Sequence, residues 1–154
     1  MSRIAGVLST AHPCSALARG LLSGLARPGS QQTQLEGAVV ALGAVGWRTP
    51  VTARRGDRLV AVDGTFFNRD ELPAGGNDAE RFVSLCEQGG IDAALSRING
   101  DFAIAMWDAQ AESLVLARDR FGLKPLYYVN RPRLFAFASQ PRVLLSLPGV
   151  PATP

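Results

Sequence analysis

Arg118, Asp119, Arg120 and Lys124 bring charge of both signs into one short run, Arg118-Asp-Arg-Phe-Gly-Leu-Lys-Pro-Leu-Tyr-Tyr128, which neither helical nor strand periodicity would generate. A carboxylate between two guanidinium groups predicts an alternating-charge network. Gly122 admits a positive φ, and Pro125 fixes φ as the chain enters Leu126–Val129. On these residues alone the run reads as a charged β-turn between two strands. Metal chemistry has little to work with. The chain holds two cysteines, Cys14 and Cys86, and one histidine, His12, without zinc-type spacing. Cys86 falls in the helical pattern Ala79–Gln88 and reads as a small buried hydrophobe.

The elements that must position this run are legible in outline. Arg3–Ser9 is a short apolar strand, and Pro13–Leu25 a helix carrying Leu17, Leu21, Leu22 and Leu25 on one face. Arg27-Pro-Gly-Ser30 breaks it. Leu35–Gly46 and Arg58–Asp63 read as strands joined by a Thr/Pro/Arg loop. After the turn Pro73–Gly76, Asn77 or Asp78 caps a helix to Gln88, Gly89-Gly90 ends it, and Asp92–Arg97 forms a short second one. Strands follow at Phe102–Asp108, Ser113–Arg118, Leu126–Asn130 and Leu134–Ala138, then a helical turn within Ala138–Leu147. The aromatics Phe102, Trp107, Phe121, Tyr127, Tyr128, Phe135 and Phe137 are assigned to the core, with packing of the turn's Phe and Tyr on a partner as the alternative. The pattern alone gives a mixed α and β, largely antiparallel fold.

Composition sets the outer bounds. The 154 residues suit one domain with a well-filled core, and 47% hydrophobic content argues against disorder. A net charge of +3 looks basic, but Arg54-Arg55 is the only adjacent basic pair and no aromatics interleave with a cationic stripe, so no nucleic-acid partner is expected. No signal-peptide apolar region or membrane-length apolar run occurs, which makes a reducing cytoplasmic location the default and gives no membrane partner.

The order of Gly100-Asp-Phe-Ala-Ile-Ala-Met-Trp-Asp108, Arg118–Tyr128 and Leu134–Leu145 resembles the glutaminase (class II glutamine amidotransferase) domain that begins asparagine synthetases. Its relatives include β-lactam synthetases and lasso-peptide cyclases. Ile4-Ala-Gly-Val-Leu8, Asp63–Leu72 and Asn77-Asp-Ala-Glu80 extend the match, which is weak between Ser9 and Pro50. The resemblance implies an α+β fold, the four-layer αββα sandwich of N-terminal-nucleophile hydrolases with largely antiparallel sheets. It further implies one domain over residues 1–147, with 148–154 a Pro-rich tail or the start of a linker.

In that family the free α-amine of a cysteine exposed by removal of the initiator Met activates its own thiol, a thioester forms with glutamine, and ammonia passes to an ATP-using domain. Here Met1-Ser2-Arg3-Ile-Ala-Gly6 stands where the family reads Met-Cys-Gly-Ile-Ala-Gly. Ser2 occupies the nucleophile position, and a serine alkoxide is far less accessible than a thiolate. The arginine that grips the substrate α-carboxylate falls on Gly46, with Arg48 two residues out of register. Asp63-Gly64-Thr65 replaces Asn-Gly-Glu at the oxyanion hole, where an ionised carboxylate cannot donate and repels developing charge. Asp78 matches the acid that holds the substrate α-amine.

The expectation is therefore a degenerate, glutaminase-inactive domain that serves as a structural or docking module for an ATP-dependent amide-forming synthetase, with Asp63, Gly64 and Asp78 as relict substrate contacts. Arg118, Asp119, Arg120 and Lys124 are assigned to structure and docking. A weak amidohydrolase using Ser2, and an asparagine-synthetase glutaminase with an altered nucleophile, are the alternatives. No Ser-Gly-Gly-x-Asp-Ser-like pyrophosphate loop occurs, so ATP and Mg are expected on a separate synthetase domain of the ATP-pyrophosphatase type, in cis or in trans, and no cofactor on this chain. Homodimer formation is left open.

Overall fold

Alternation along the strands sorts the apolar side chains into three cores, and the fold follows from them. The computed structural model describes residues 2–151. In order these are β1 (Arg3–Ser9), α1 (Cys14–Leu25), β2 (Gln31–Glu36), β3 (Val40–Gly46), β4 (Val51–Arg55), β5 (Arg58–Phe66), a 3-10 turn (Arg69–Glu71), α2 (Asp78–Arg97), β6 (Gly100–Asp108), β7 (Ser113–Arg118), β8 (Tyr127–Arg131), β9 (Leu134–Ala138) and α3 (Pro141–Leu144). A five-stranded sheet, β2-β3-β1-β9-β8, faces a four-stranded one, β4-β5-β6-β7. Every pairing is antiparallel.

Between the sheets lie Ile4, Leu42, Ala44, Leu59, Ala61, Ala103, Trp107 and Phe137. Their immediate neighbours point the other way. Ala5, Val7, Ala41 and Val45 meet α1 and α3, while Val60, Val62, Ile104 and Met106 meet α2. Both faces of the central strands are thus apolar, which is why they read as unbroken hydrophobic runs rather than clean alternation. The layers stack α–β–β–α, the α+β sandwich that the resemblance implied.

Several boundaries differ from the sequence reading. The single strand expected over Leu35–Gly46 is a hairpin, β2 and β3, turning at 37–39 with the Gly37 N–H donating to the Val40 carbonyl at 2.8 Å. Gln31–Gln34 pairs with β3 although it is polar, because β2 is an edge strand with half-buried or exposed side chains. The expected Thr/Pro/Arg loop contains β4, which closes the second sheet at its edge. The helix break at Gly89-Gly90 is present: α2 kinks where Gly90 has φ +82°. Asn77 is its N-cap, accepting the Glu80 N–H at 3.0 Å.

The assignment of every aromatic to the core also needs correction. Phe102, Trp107 and Phe137 are buried, but Phe121, Tyr127 and Tyr128 are exposed. Tyr127 and Tyr128 lie on β8, an edge strand, and Phe121 lies in the turn that precedes it. Among the described residues no helix is long and apolar enough to cross a membrane, and no cluster of three potential metal ligands forms. Residue 1, whose removal the resemblance implies, and residues 152–154 of the expected tail lie outside the described residues.

Candidate functional site

At one end of the sandwich the start of β1, the ends of β3 and β5 and the start of β6 converge. The β1–β3 register sets Arg3 opposite Val45 and so brings Ser2 beside Gly46. A Cβ built on Gly46 would lie 3.4 Å from Ser2 Cα and 3.5 Å from Ser2 Cβ, ordinary contact distances. Space for a side chain exists at Gly46, and the sequence leaves it empty.

Gly64 is fixed by geometry. It has φ +126°, and a Cβ there would stand 1.9 Å from the Asp101 carbonyl oxygen of the neighbouring strand, so no other residue fits. This places its N–H at the site, donating to Ser2 Oγ at 3.2 Å. The Ser2 hydroxyl in turn donates to Asp63 Oδ1 at 2.9 Å. Asp63 is only 2% exposed, and Ser139 Oγ lies 3.3 Å from its other oxygen. Burial pushes its carboxyl above the ordinary carboxylate range, opposed by the Ser2 hydrogen bond, the Lys124 charge, the Ser139 hydrogen bond and the Arg3 charge.

Lys124 links the two regions that the sequence reading kept apart. Its ammonium lies 3.8 Å from Asp63 and 3.7 Å from Asp101, and the side chain is mostly buried. The run Arg118–Tyr128 therefore sends one side chain into the site while its aromatics face outward.

The expected alternating-charge network within that run is not formed. Asp119 pairs with neither Arg118 nor Arg120. Its Oδ1 accepts the N–H groups of Phe121 and Leu123, each at 3.0 Å, and its Oδ2 accepts that of Lys124 at 3.1 Å, with Phe102 N at 3.4 Å. A tight turn leaves several N–H groups pointing inward, and a carboxylate is the side chain that can satisfy them together. Arg118 donates to the carbonyls of Gly122 and Lys124 at 2.7 and 2.9 Å. Arg120 is exposed.

Asp78, at the first position of α2, is 1% exposed and bonded bidentately by Arg69, Nε to Oδ1 and Nη2 to Oδ2, both at 2.6 Å. Phe66 N–H adds a third bond at 3.0 Å, and Arg81 Nη1 lies 3.9 Å away. Arg69 escaped the sequence reading: it sits nine residues from its partner on a short 3-10 turn, where no periodicity marks it. Arg3 turns away from the site, and its Nη1 donates to the Leu25 carbonyl at the end of α1 at 2.8 Å.

Ser2, Gly46, Gly64, Arg69 and Lys124 line one cavity of about 470 Å³, together with Trp47, Arg48, Thr49, Val51 and Thr65. Asp63 instead borders a smaller recess of about 150 Å³ with Ser2, Arg3 and Ser139. Asp78 stands behind Arg69. The structure thus gathers Ser2, Gly46, Gly64 and Lys124 on one wall, with Asp63 and Asp78 just beneath it, and leaves Arg118, Asp119 and Arg120 outside.

The family model for a glutamine amidotransferase domain matches residues 46–146. An asparagine synthetase [glutamine-hydrolyzing] of Bacillus subtilis is 36% identical over 118 residues, covering 71% of this chain and 16% of that protein. Another from the same organism is 30% identical over 123 residues, covering 70% of this chain and 19% of its own length. The chain thus spans less than a fifth of these curated relatives. Among solved structures, the glutamine phosphoribosylpyrophosphate amidotransferase of B. subtilis superposes with a TM-score of 0.68 over 92% of this chain and 42% of its own, at 16% identity. At that identity the likeness is one of fold.

Proposed function

Because the chain belongs to the glutamine amidotransferase domain family, we propose that it is a member that has lost glutaminase chemistry and serves as a docking module for an ATP-dependent amide-forming enzyme of the asparagine-synthetase type. The observation that carries this reading is Asp63: a buried carboxylate stands where the resemblance expects an amide donor for the oxyanion, and it accepts a hydrogen bond from the Ser2 hydroxyl. A negative group beside a developing oxyanion raises the barrier that an oxyanion hole exists to lower. Losing one such donor alone costs about 10²–10³ in rate.

Two further features agree. Gly46 presents no cation to a substrate carboxylate, and Arg69 fills the carboxylate of Asp78 that the resemblance assigns to the substrate ammonium. What remains is the scaffold, and three of its large apolar side chains are exposed: Phe121 at 83%, Leu123 at 65% and Tyr128 at 65%. Aromatic groups of this kind are enriched at interfaces. On this reading the surface faces a synthetase domain, in cis or in trans, which carries ATP and Mg. A lasso-peptide cyclase or β-lactam synthetase is the finer assignment, and the two free cysteines, both buried, suit a reducing compartment.

A second reading has one observation in its favour. Ser2 donates at 2.9 Å to a carboxylate whose proton affinity burial raises, the relation of a hydroxyl nucleophile to a base. Hydrolysis of an amide by Ser2 follows from it.

The test is reconstitution with a synthetase domain of the asparagine-synthetase type supplied in trans. The docking reading expects the pair to co-purify and to form amide product from ATP and a free amine or ammonia, with no gain from glutamine. Phe121→Asp with Tyr128→Asp abolishes co-purification. Glutamine-dependent product formation overturns the reading.

A further inference from the structure

Arg48, Arg69 and Lys124 all line the cavity beside Ser2, and no carboxylate does. The acids paired with its lining cations are Asp63, Asp78 and Asp101. Each already has a partner: Asp63 the Ser2 hydroxyl, Asp78 the Arg69 guanidinium, and Asp63 and Asp101 share the Lys124 ammonium at 3.8 and 3.7 Å. Arg81 Nη1, 3.9 Å from Asp78, stands as a second cation behind that carboxylate. Arg48 is exposed and has no hydrogen-bond or ion-pair partner among the described residues. Thr49 and Thr65 border the same space. The volume, about 470 Å³, suits a small metabolite-sized ligand.

We infer that this cavity is a binding site for a small organic anion, a carboxylate or phosphate ester, that carries no ammonium group. The inference rests on the reading that the pocket no longer takes glutamine, and it gives that loss a physical direction. A zwitterionic amino acid needs an open carboxylate for its ammonium; here the candidate carboxylate, Asp78, is 1% exposed and covered by a bidentate guanidinium. An ammonium entering the cavity meets the outer edge of Arg69, the ammonium of Lys124 and Arg48, and is repelled. An anion meets the same groups with the favourable sign, in a recess where water screens them less than at an open surface.

Isothermal calorimetry on the intact chain, with glutarate, inorganic phosphate and L-glutamine titrated separately at low salt, tests this. Glutarate or phosphate should bind at roughly millimolar concentration or better, and which of them binds more tightly identifies the anion class. L-glutamine should not bind. Arg48→Ala, a substitution at an exposed side chain outside the core, should weaken anion binding by about tenfold, and added salt should do the same. The inference fails if neither anion binds, if Arg48→Ala leaves binding unchanged, or if glutamine binds as tightly as the anions. A parallel assay for ammonia release separates the two levels. No anion binding and no ammonia sinks the site alone, whereas ammonia release from glutamine sinks the inactive-domain reading with it.

Discussion

Ser2 Oγ donates to Asp63 Oδ1 at 2.9 Å, so the two side chains that the resemblance assigns to the nucleophile and oxyanion positions are bonded to each other. Both belong to a closed set: Gly64 N–H donates to the same hydroxyl, and Lys124 and Ser139 flank the carboxylate. The Gly64 N–H, which the resemblance places at the oxyanion, is engaged by the Ser2 hydroxyl.

Asp63→Asn isolates the electrostatic part of this arrangement. Burial raises the Asp63 carboxyl above its ordinary value, so between the unfolded and folded values the native state holds the extra proton. The contribution of this group to stability therefore falls as pH rises through that window. Asparagine does not titrate. Chemical denaturation from acid to neutral pH should show the variant gaining on the parent as pH rises above the ordinary carboxylate range, then a constant difference. A difference that shrinks with rising pH would mean that Lys124 outweighs burial and that Asp63 is held below its ordinary value.

Asp119→Ala should destabilise through the backbone and not through the arginines. It removes the acceptor for the N–H groups of Phe121, Leu123 and Lys124. The turn's flanking residues reach solvent, so water can replace part of this, and the cost is about 2 kcal/mol, seen as a fall of several degrees in melting temperature. Although burial acts to raise it, the backbone donors together hold this carboxyl below its ordinary value, so its contribution is present above the ordinary range and is lost as pH falls through the depressed value. Arg118→Gln should leave that acid loss unchanged. If Arg118→Gln removes it, the charge network expected from the sequence is the true one.

Cys86 and Cys14 are both free and buried, and burial pushes the Cys86 thiol up to about 11. Neither should react with iodoacetamide in the native protein near neutral pH, and both should react once denaturant unfolds it, because the thiolate is the nucleophile. Mass spectrometry of the native protein checks this, and fast native labelling of Cys86 would mean that α2 opens locally.

The fold was readable where period and punctuation agreed. β1, α1, β7 and β9 stand where Arg3–Ser9, Pro13–Leu25, Ser113–Arg118 and Leu134–Ala138 placed them, within a residue. The failures share a cause. Gln31–Gln34 and Val51–Arg55 are edge strands whose side chains are largely exposed or half-buried, so hydrophobic patterning has little to report, and pairing is supplied by a neighbour distant in sequence. At the site, the positions of Ser2, Gly46, Asp63, Gly64 and Asp78 came from motif resemblance, and what each side chain does did not. Arg69 meeting Asp78, and Lys124 meeting Asp63 and Asp101, are tertiary pairings that no local pattern encodes.

The proposed loss of glutaminase chemistry is tested most directly at residue 2, by placing a cysteine there alone. Ser2→Cys supplies a thiol but leaves Asp63 where the resemblance expects an oxyanion donor, no side chain at Gly46 where it expects a cation, and Arg69 on Asp78. The measurement is ammonia and glutamate release from L-glutamine by Ser2→Cys and by the parent, with mass spectrometry for covalent labelling of residue 2 by a diazoketone analogue of glutamine. The account predicts background release from both proteins and no stoichiometric adduct, since a transition state without these groups forfeits several kcal/mol. Steady turnover by Ser2→Cys, or a stoichiometric adduct on Ser2 of the parent, would show that the pocket still recognises glutamine and would contradict it.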